Sequence, residues 1–207
     1  MTQRHRRETN RVRPDLAQLK ALAHPVRLTM LTRLRLDGPA TASSLAAQLG
    51  LNSGATSYHL RQLAEAGLVV EDSSRGTRRD RWWKAAHEST ETAPSDVDDA
   101  EEHAVLVGAY HGVVAQQAAQ QIVQAAAETP ELPKEWADLA GASDWNLYLT
   151  QEQVGRIKDA VHAIMTEALE NSPDQQNAPA GAVPFVFQFH SFPRPGALVH
   201  RDEGASQ

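Results

Sequence analysis

A predicted helix from Asn52 to Gly67 carries side chains that can hydrogen-bond a ligand along one face. Thr56, Leu60 and Leu63 recur at helical spacing and form its inward face. The opposite face begins with short polar groups and has a cation further along: Ser53, Gly54, Ser57, Tyr58 and Arg61. Short side chains let a helix approach base edges closely, and an arginine reaches a phosphate or a guanine. The face is therefore suited to a DNA groove.

The preceding segment, Thr41 to Gly50, predicts a shorter helix just before the helix from Asn52 to Gly67. Its inward residues are Leu45, Ala46 and Leu49, and Gly50 makes a tight turn into the next helix. Two helices joined by so short a turn are the helix-turn-helix arrangement, in which the second helix enters the major groove.

Flanking elements extend this pair of helices to a winged helix. Pro25 to Leu36 predicts an amphipathic helix upstream. Downstream, Leu68 to Glu71 and Asp80 to Ala85 predict two strands around a turn with Gly76 at its tip. Arginines cluster at this turn, namely Arg75, Arg78, Arg79 and Arg81. Because arginine binds phosphate and enters the minor groove, we expect these four residues to contact DNA. The alternative is that they only make an exposed hairpin soluble.

Four aromatic residues near these helices have a structural interpretation. His59 lies beside the inward row, and His24 stands before Pro25 at a helix entry, so packing or capping is favoured for both. Trp82 and Trp83 are adjacent in a predicted strand and must point to opposite faces. One of the two tryptophans is therefore expected in the core.

From Asp15 to Ala85 the chain resembles the ArsR-like winged helix-turn-helix transcriptional regulators. The residues that carry the resemblance are Leu22, His24, Pro25, Arg27 and Leu28 at the opening helix, and Ser57, His59, Leu60, Leu63, Gly67, Leu68 and Val69 further on. The resemblance implies a homodimeric, usually repressing DNA-binding protein controlled by an effector. The predicted DNA contacts are Ser53, Gly54, Thr56, Ser57, Tyr58, Arg61, Arg75, Arg78, Arg79 and Arg81.

Charge is distributed unevenly along the chain. Residues 1–84 hold 15 Lys and Arg against 7 Asp and Glu, whereas residues 85–207 hold 5 against 19. Although the whole protein has a net charge of −6, its N-terminal part is basic and attracted to phosphate. The Arg-rich residues 1–14 are either a DNA-seeking arm or a solvated disordered tail.

Several protein classes are disfavoured by composition. The chain has no cysteine, which excludes disulfides and thiolate metal sites. No membrane span, export signal, phosphate loop or catalytic elbow is recognisable, so a cytoplasmic non-enzyme without cofactor is expected. His103 and His111, with Asp99 and Glu102, lack a paired-ligand spacing, so no metal site is predicted.

A long helix is predicted from Ala100 to Glu128, after a polar linker at 87–99. It carries an apolar stripe whose predicted dimerisation residues are Val107, Tyr110, Val114 and Ile122. The stripe needs a partner, and its symmetry mate in a dimer is favoured over packing within its own subunit.

The last third predicts a small α+β unit at 129–193, followed by a flexible tail at 194–207. Trp145 to Leu149 alternates as a strand, and Thr150 with Gln153 forms a capping box for a helix to Glu170. Val183 to Phe192 predicts a second strand that holds all four phenylalanines. Its aromatic face is expected to pack in a core, with one wall of a ligand pocket as the alternative.

These observations predict a mainly α (α+β) protein. It has a winged helix at 15–86, a long dimerisation helix and a strand-helix-strand unit. The predicted function is a DNA-binding transcriptional regulator that binds palindromic operators as a dimer, with control by a small-molecule effector through the C-terminal half. The resemblance to the ArsR-like family implies that it is a repressor. The alternative is a small-molecule or protein-binding module that uses the winged helix as a partner surface without reading DNA.

Overall fold

The computed structural model describes residues 10–75, 81–92, 100–173 and 177–198. The helices are α1 Leu16–Leu22, α2 Pro25–Leu36, α3 Ala42–Leu49, α4 Ser53–Glu65, α5 Ala100–Glu128, α6 Lys134–Ala137 and α7 Gln151–Asn171, with a 3-10 turn at Thr129–Glu131. The strands are β1 Arg11–Val12, β2 Ala40–Thr41, β3 Val69–Glu71, β4 Trp82–Ala85 and β5 Ser89–Thr90. The mainly helical fold class is confirmed.

Local sequence signals set the helix starts. Pro25 occupies the first turn of α2, where its missing N–H is not needed. The Thr41 hydroxyl accepts from the Ser44 N–H at the start of α3. The predicted capping box at Thr150 is present, with its side chain accepting from the Gln153 N–H and the Gln153 side chain accepting from the Thr150 N–H.

The wing is a three-stranded antiparallel sheet in the order β2-β4-β3. Trp83 of β4 stands opposite Glu71 of β3 on one side and Ala40 of β2 on the other. The sequence predicted β3 and β4 and missed β2, which has only two residues. Because β2 leads directly into α3, the sheet fixes the start of the first helix of the helix-turn-helix pair.

A second, two-stranded sheet corrects two predicted boundaries. Arg11 pairs in parallel with Ser89, and Val12 pairs with Thr90, so neither the arm at 1–14 nor the linker at 87–99 is irregular throughout. Val12 is buried in the hydrophobic core, and this burial stabilises the short pairing of β1 with β5. Residues 1–9 and 93–99 lie outside the described part of the chain.

One hydrophobic core lies between the helices of the winged helix and α5. Its most completely buried large side chains are Leu19, Leu22, Met30, Leu31, Leu45, Leu60, Leu63, Leu68 and Val69. Trp83 belongs to the same cluster, which confirms the expectation that one tryptophan is inside.

Helix α5 has the predicted bounds, but its apolar stripe does not face outward. Tyr110 is buried, and Val107 and Val114 pack on the core of their own chain, where α5 lies against α1 and α2. Polar contacts reinforce this docking, because Gln117 donates to the Thr29 hydroxyl at 3.1 Å and Lys20 pairs with Glu102 at 3.2 Å. Tyr110 is therefore covered within its own chain, whereas dimerisation through Val107, Val114 and Ile122 stays a prediction. Only Ile122 of the predicted set is exposed.

The chain divides into two compact units, one ending at Ser172 and one beginning at Pro173. The predicted strand at Trp145–Leu149, in the first unit, has no regular secondary structure. A strand requires a ladder partner, and the described residues offer none here. Within the same unit, α7 has no buried residue.

Residues 177–198 of the second unit also lack strands, so the predicted strand at Val183–Phe192 is wrong as well. The rings of Phe185 and Phe187 lie 5.2 Å apart, yet Phe185, Phe187 and Phe189 are exposed. The expected core is missing because this unit, taken by itself, supplies no covering layer in its described part.

Candidate nucleic-acid interface

The turn between α3 and α4 fixes the orientation of α4 relative to α3. Gly50 has φ +65°, a left-handed conformation that glycine adopts without steric cost. Asn52 then caps α4, because its Oδ1 accepts from the Ala55 N–H at 2.7 Å. Leu60 and Leu63 are fully buried and hold the inner face of α4 on the core.

The outer face of α4 presents the predicted contacts to solvent. Ser53, Gly54, Tyr58 and Arg61 are exposed, and Ser57 is partly buried. The Arg61 Nε donates to the Ser57 carbonyl at 3.2 Å, which directs the guanidinium along the helix surface. Four exposed positions on consecutive turns thus form one continuous polar face.

Thr56 corrects the predicted DNA-contact set. Its side chain is fully buried, and its hydroxyl donates to the Asn52 carbonyl at 3.0 Å. A buried hydroxyl that is already satisfied within its own helix has no access to a base or phosphate. Thr56 is therefore a structural residue of the capping turn.

An arginine-lined depression lies beside the polar face of α4. It has a volume of about 290 Å³ and is lined by Thr41, Ala42, Ser43, Ser57, Arg61, Arg81 and Trp83. Two guanidinium groups and three hydroxyls surround it, and no carboxylate lines it. Such a lining provides hydrogen-bond donors for an anionic oxygen. Within the described ranges, Arg61 forms no ion pair that would compensate its charge.

The two described wing arginines are paired with carboxylates. Arg81 lies 3.1 Å from Glu71 and over the ring of Trp83, whereas Arg75 lies 3.5 Å from Asp72 and near Trp82. These contacts orient both guanidinium groups at the base of the wing. Arg78, Arg79 and Gly76 lie outside the described residues.

Asp72 is the buried acid that organises the base of the wing. The Ser74 hydroxyl donates to its Oδ1 at 2.6 Å, and its own N–H donates to the Trp82 carbonyl at 2.8 Å. The Ser74 hydrogen bond lowers the pKa of Asp72 most, and the nearby Lys84 and Arg75 lower it further. An ionised Asp72 therefore anchors Arg75 at the turn.

His59, on the inner flank of α4, contacts His24 at the start of α2. Their ring centroids are 4.8 Å apart, and each Nδ1 is buried without a hydrogen-bond partner in the described part of the chain. Burial lowers the pKa of both imidazoles, and Arg27 lowers both further. The structure thus places both residues in packing positions away from the polar face.

The structure brings Ser57, Arg61 and Arg81 of the predicted set to one depression. Sequence reasoning missed Thr41, Ser43 and Trp83, which complete its wall. Thr41 had a weak signal, since a threonine three residues before a serine can cap a helix. The approach of β4 to α3 depends on tertiary pairing and has no local signal.

No helix among residues 10–75, 81–92, 100–173 and 177–198 combines the length and hydropathy of a membrane span. The same residues hold no group of three or more His, Asp or Glu side chains arranged to bind a metal ion. His111 instead contacts the Thr92 hydroxyl through Nε2 at 2.9 Å.

Residues 22–72 match the protein family described as "Helix-turn-helix domain". Over 54 residues the chain is 48% identical to the HTH-type transcriptional regulator NmtR of Mycobacterium tuberculosis, a match that covers 26% of this chain and 44% of that protein. Over 63 residues it is 40% identical to the HTH-type transcriptional regulator YgaV of Escherichia coli, covering 30% of this chain and 62% of that protein.

The matched segments thus span about half the length of these curated relatives. A solved structure of a Lactococcus lactis ZitR mutant in apo form is similar at 16% identity with a TM-score of 0.30, covering 73% of this chain and 87% of that one. The sequence matches confirm the predicted resemblance for the segment that contains α2, α3, α4 and β3.

Proposed function

We propose that this chain, whose residues 22–72 are a helix-turn-helix domain of the ArsR-like type, is a cytoplasmic DNA-binding transcriptional regulator. In this proposal it represses transcription from a palindromic operator as a homodimer, and an effector acts through its C-terminal half. The observation that carries the proposal is the polar outer face of α4 beside a carboxylate-free depression lined by Arg61 and Arg81.

The side chains of α4 suit the two kinds of contact that DNA recognition requires. Near its N-terminus, Ser53 and Gly54 are short enough for the helix backbone to approach base edges in the major groove. Tyr58, 53% exposed, stands one turn further along the same face. Base contact by these residues supplies sequence discrimination, whereas cations supply most of the affinity.

The depression offers a seat for a backbone phosphate at the edge of that face. Arg61 and Arg81 come from different elements, α4 and the segment that leads into β4, so a phosphate between them bridges helix and wing. Arginine presents its donors as a planar fork that matches phosphate oxygens. Ser43 and Ser57 add hydroxyl donors to the same wall.

A dimer follows from the geometry that groove reading imposes. One α4 covers only a few base pairs, and two copies related by a two-fold axis read half-sites about one helical turn apart. Loss of the dimer then reduces tight operator binding to weak binding even though every contacting residue is retained.

The test is a salt titration of the purified full chain with two duplexes. One is recovered by selecting bound genomic fragments, and the other is random. We expect binding to weaken steeply with salt on both duplexes and to be at least about 1,000-fold tighter on the selected one. No binding to either duplex at low salt overturns the proposal and favours a winged helix that serves as a protein or small-molecule surface.

A further inference from the structure

Three aromatic rings stand in a row from the start of α2 to the outer face of α4. The ring centroid of His59 lies 4.8 Å from that of His24 and 5.5 Å from that of Tyr58. His24 and His59 are partly buried, whereas Tyr58 is 53% exposed on the polar face of α4. The row therefore connects the interior of the winged helix to the surface that faces DNA in the proposed function.

The contact between His59 and Tyr58 constrains the exposed ring. Their planes are inclined by 64°, an edge-to-face arrangement that aromatic pairs favour at this separation. Neighbouring residues on a helix point about 100° apart, so they do not normally face each other. The contact thus holds the Tyr58 ring over toward His59 and restricts its freedom in solvent.

His24 supports His59 from the opposite side. It occupies the N-cap position of α2, and Pro25 follows in the first turn, so the backbone at this end of the row is rigid. Within the described ranges, the buried Nδ1 atoms of both imidazoles have no hydrogen-bond partner. Ring packing therefore contributes to their orientation where these polar atoms do not.

Arg27 adds a fixed cation beside the same row. Its Nε donates to the Ala21 carbonyl at 2.6 Å, and a terminal amino group donates to the Lys20 carbonyl at 2.8 Å. Both carbonyls belong to the last turn of α1, so the guanidinium is held at a helix C-terminus. From there it interacts electrostatically with the Tyr58 phenol. An exposed side chain of α4 is thus restrained by groups on α2 as well.

Tyr58 is chemically unlike the rest of the outer face of α4. Among the residues of α4, all of which the structure describes, it is the one large apolar side chain that is exposed. Its neighbours on that face are small or polar, namely Ser53, Gly54, Ser57 and Arg61. In the major groove the bases present hydrogen-bonding atoms and one apolar group, the C5-methyl of thymine. The apolar ring therefore has a single complementary group on the groove floor.

We propose that the Tyr58 ring contacts a thymine methyl group in the major groove and that His59, supported by His24, is the positioning residue for this contact. The inference rests on the proposed function and deepens it, because it states which base α4 distinguishes at one position. The two imidazoles act through Tyr58 and do not touch DNA.

This role differs in kind from that of the arginines. A cation that binds phosphate raises affinity for every sequence and steepens the dependence of affinity on salt. A ring that meets a methyl group changes only the preference for one base, since it neutralises no phosphate. The two contributions can therefore be measured separately on one duplex.

Deoxyuridine tests the contact, because it replaces thymine with loss of the methyl group alone. The selected duplex is prepared with each thymine replaced in turn, and anisotropy gives the ratio of the two affinities. We expect at least one position at which wild-type binding weakens by about 3- to 5-fold, as burial of one carbon predicts. Tyr58→Phe should keep this ratio, whereas Tyr58→Ser should bring it to about 1 and leave the salt slope unchanged. Tyr148→Ser, at a fully exposed tyrosine outside α4, is the matched control and should keep the ratio.

Variants of His59 test the positioning role at the same thymine. His59→Gln should reduce the ratio to less than half of its wild-type value, and His59→Phe, which retains a ring, should restore it. In a Tyr58→Ser background, His59→Gln should have no further effect, because the residue acts through Tyr58. Circular dichroism verifies the helix content of each variant. If His59→Gln unfolds, His24→Gln takes its place, and the exposed Tyr58 variants still decide the contact.

Tight binding of the selected duplex with no effect of any deoxyuridine overturns this inference alone. A ratio that survives Tyr58→Ser overturns it as well, and a ratio that survives His59→Gln in a folded chain overturns the positioning role. If the wild-type chain binds neither the selected nor the random duplex, the proposed function is rejected and this inference falls with it.

Discussion

The Arg35 Nε of α2 donates a hydrogen bond to the main-chain carbonyl of His87 at 2.9 Å. Its terminal amino group donates to the Thr90 hydroxyl at 3.0 Å. His87 and Thr90 belong to the segment that leaves the wing and forms β5, so one guanidinium joins the central helix to the end of the wing. Nearby, the buried Tyr110 of α5 interacts with both Arg35 and Thr90, which connects α5 to the same point.

We expect Arg35→Ala to lower the free energy of unfolding by about 1 to 3 kcal/mol, because it leaves the His87 carbonyl and the Thr90 hydroxyl without their donor. Urea denaturation of the full chain measures the change. Arg33→Ala is the control on the same helix, since the Arg33–Asp37 pair is solvent-exposed and should be worth less than about 1 kcal/mol. Equal losses for the two variants would contradict the bridging role of Arg35.

The contact between His24 and His59 makes stability depend on pH. Burial lowers the pKa of both rings below the ordinary value of 6.5, so the unfolded chain binds protons that the folded chain excludes. Their contribution is complete above pH 6.5 and is lost as the pH falls from 6.5 through the folded-state values. We expect the free energy of unfolding to fall by up to about 1.4 kcal/mol per pH unit for each ring in that window.

Urea denaturation at pH 7.5, 6.5 and 5.5 gives this slope directly. His59→Gln should make it shallower, whereas His162→Gln, at an exposed position on α7, should leave it as in the wild type. His87 keeps part of the slope in both variants, because burial and Arg35 also lower its pKa. A slope unchanged by His59→Gln would mean that folding does not lower the pKa of the His59 imidazole.

Arg61 is expected to contribute to DNA affinity through the depression it shares with Arg81. Arg61→Ala should weaken binding to the selected duplex by about 1 to 3 kcal/mol and make the salt slope shallower by about 1. Fluorescence anisotropy measures both, with Arg156→Ala as a control that removes an exposed arginine from α7. Unchanged operator affinity would remove Arg61 from the interface.

The two glycines Gly50 and Gly112 should respond in opposite directions to alanine. Both have open space where a Cβ would lie, but Gly50 has φ +65° whereas Gly112 is in the middle of α5. Gly50→Ala should lower stability by about 1 kcal/mol through backbone strain. Gly112→Ala should raise it by about 0.5 to 1 kcal/mol through helix propensity. Thermal unfolding of the two variants compares them. A loss of stability in both would contradict a helical, uncrowded position of Gly112 in α5.

Local signals predicted the helices of the winged helix well. Pro25 and the stop at Asp37 to Pro39 placed α2 at its observed bounds, and a proline-free run rich in Ala and Gln placed α5. The inward row of α4 followed from spacing alone. Short strands were harder, because β1, β2 and β5 have only two residues each and depend on partners distant in sequence. A run of two residues is too short to show a hydrophobic periodicity.

The errors at the candidate sites have a common cause in tertiary contacts. An apolar stripe shows that a helix needs a partner but does not identify it, so Tyr110 was assigned to a second copy although α1 and α2 cover it. Alternation at 145–149 and 183–192 likewise predicts strand propensity, yet a strand forms only where a ladder partner exists. Thr56 shows the same limit. Its helical spacing predicts an inward position, whereas its hydroxyl suggests a DNA contact, and only the structure shows that the side chain is buried.

The parallel pairing of β1 with β5 also has a consequence for biosynthesis. Val12 is synthesised before its partner Thr90, which is added 78 residues later. At about 5 to 20 residues per second, Val12 waits roughly 4 to 16 s before that pairing is available. The N-terminal segment therefore remains unanchored while α1 to α4 are synthesised, and a chain stalled before Thr90 cannot complete this sheet. Among the strands of the described residues, the first to be synthesised is the last to be paired.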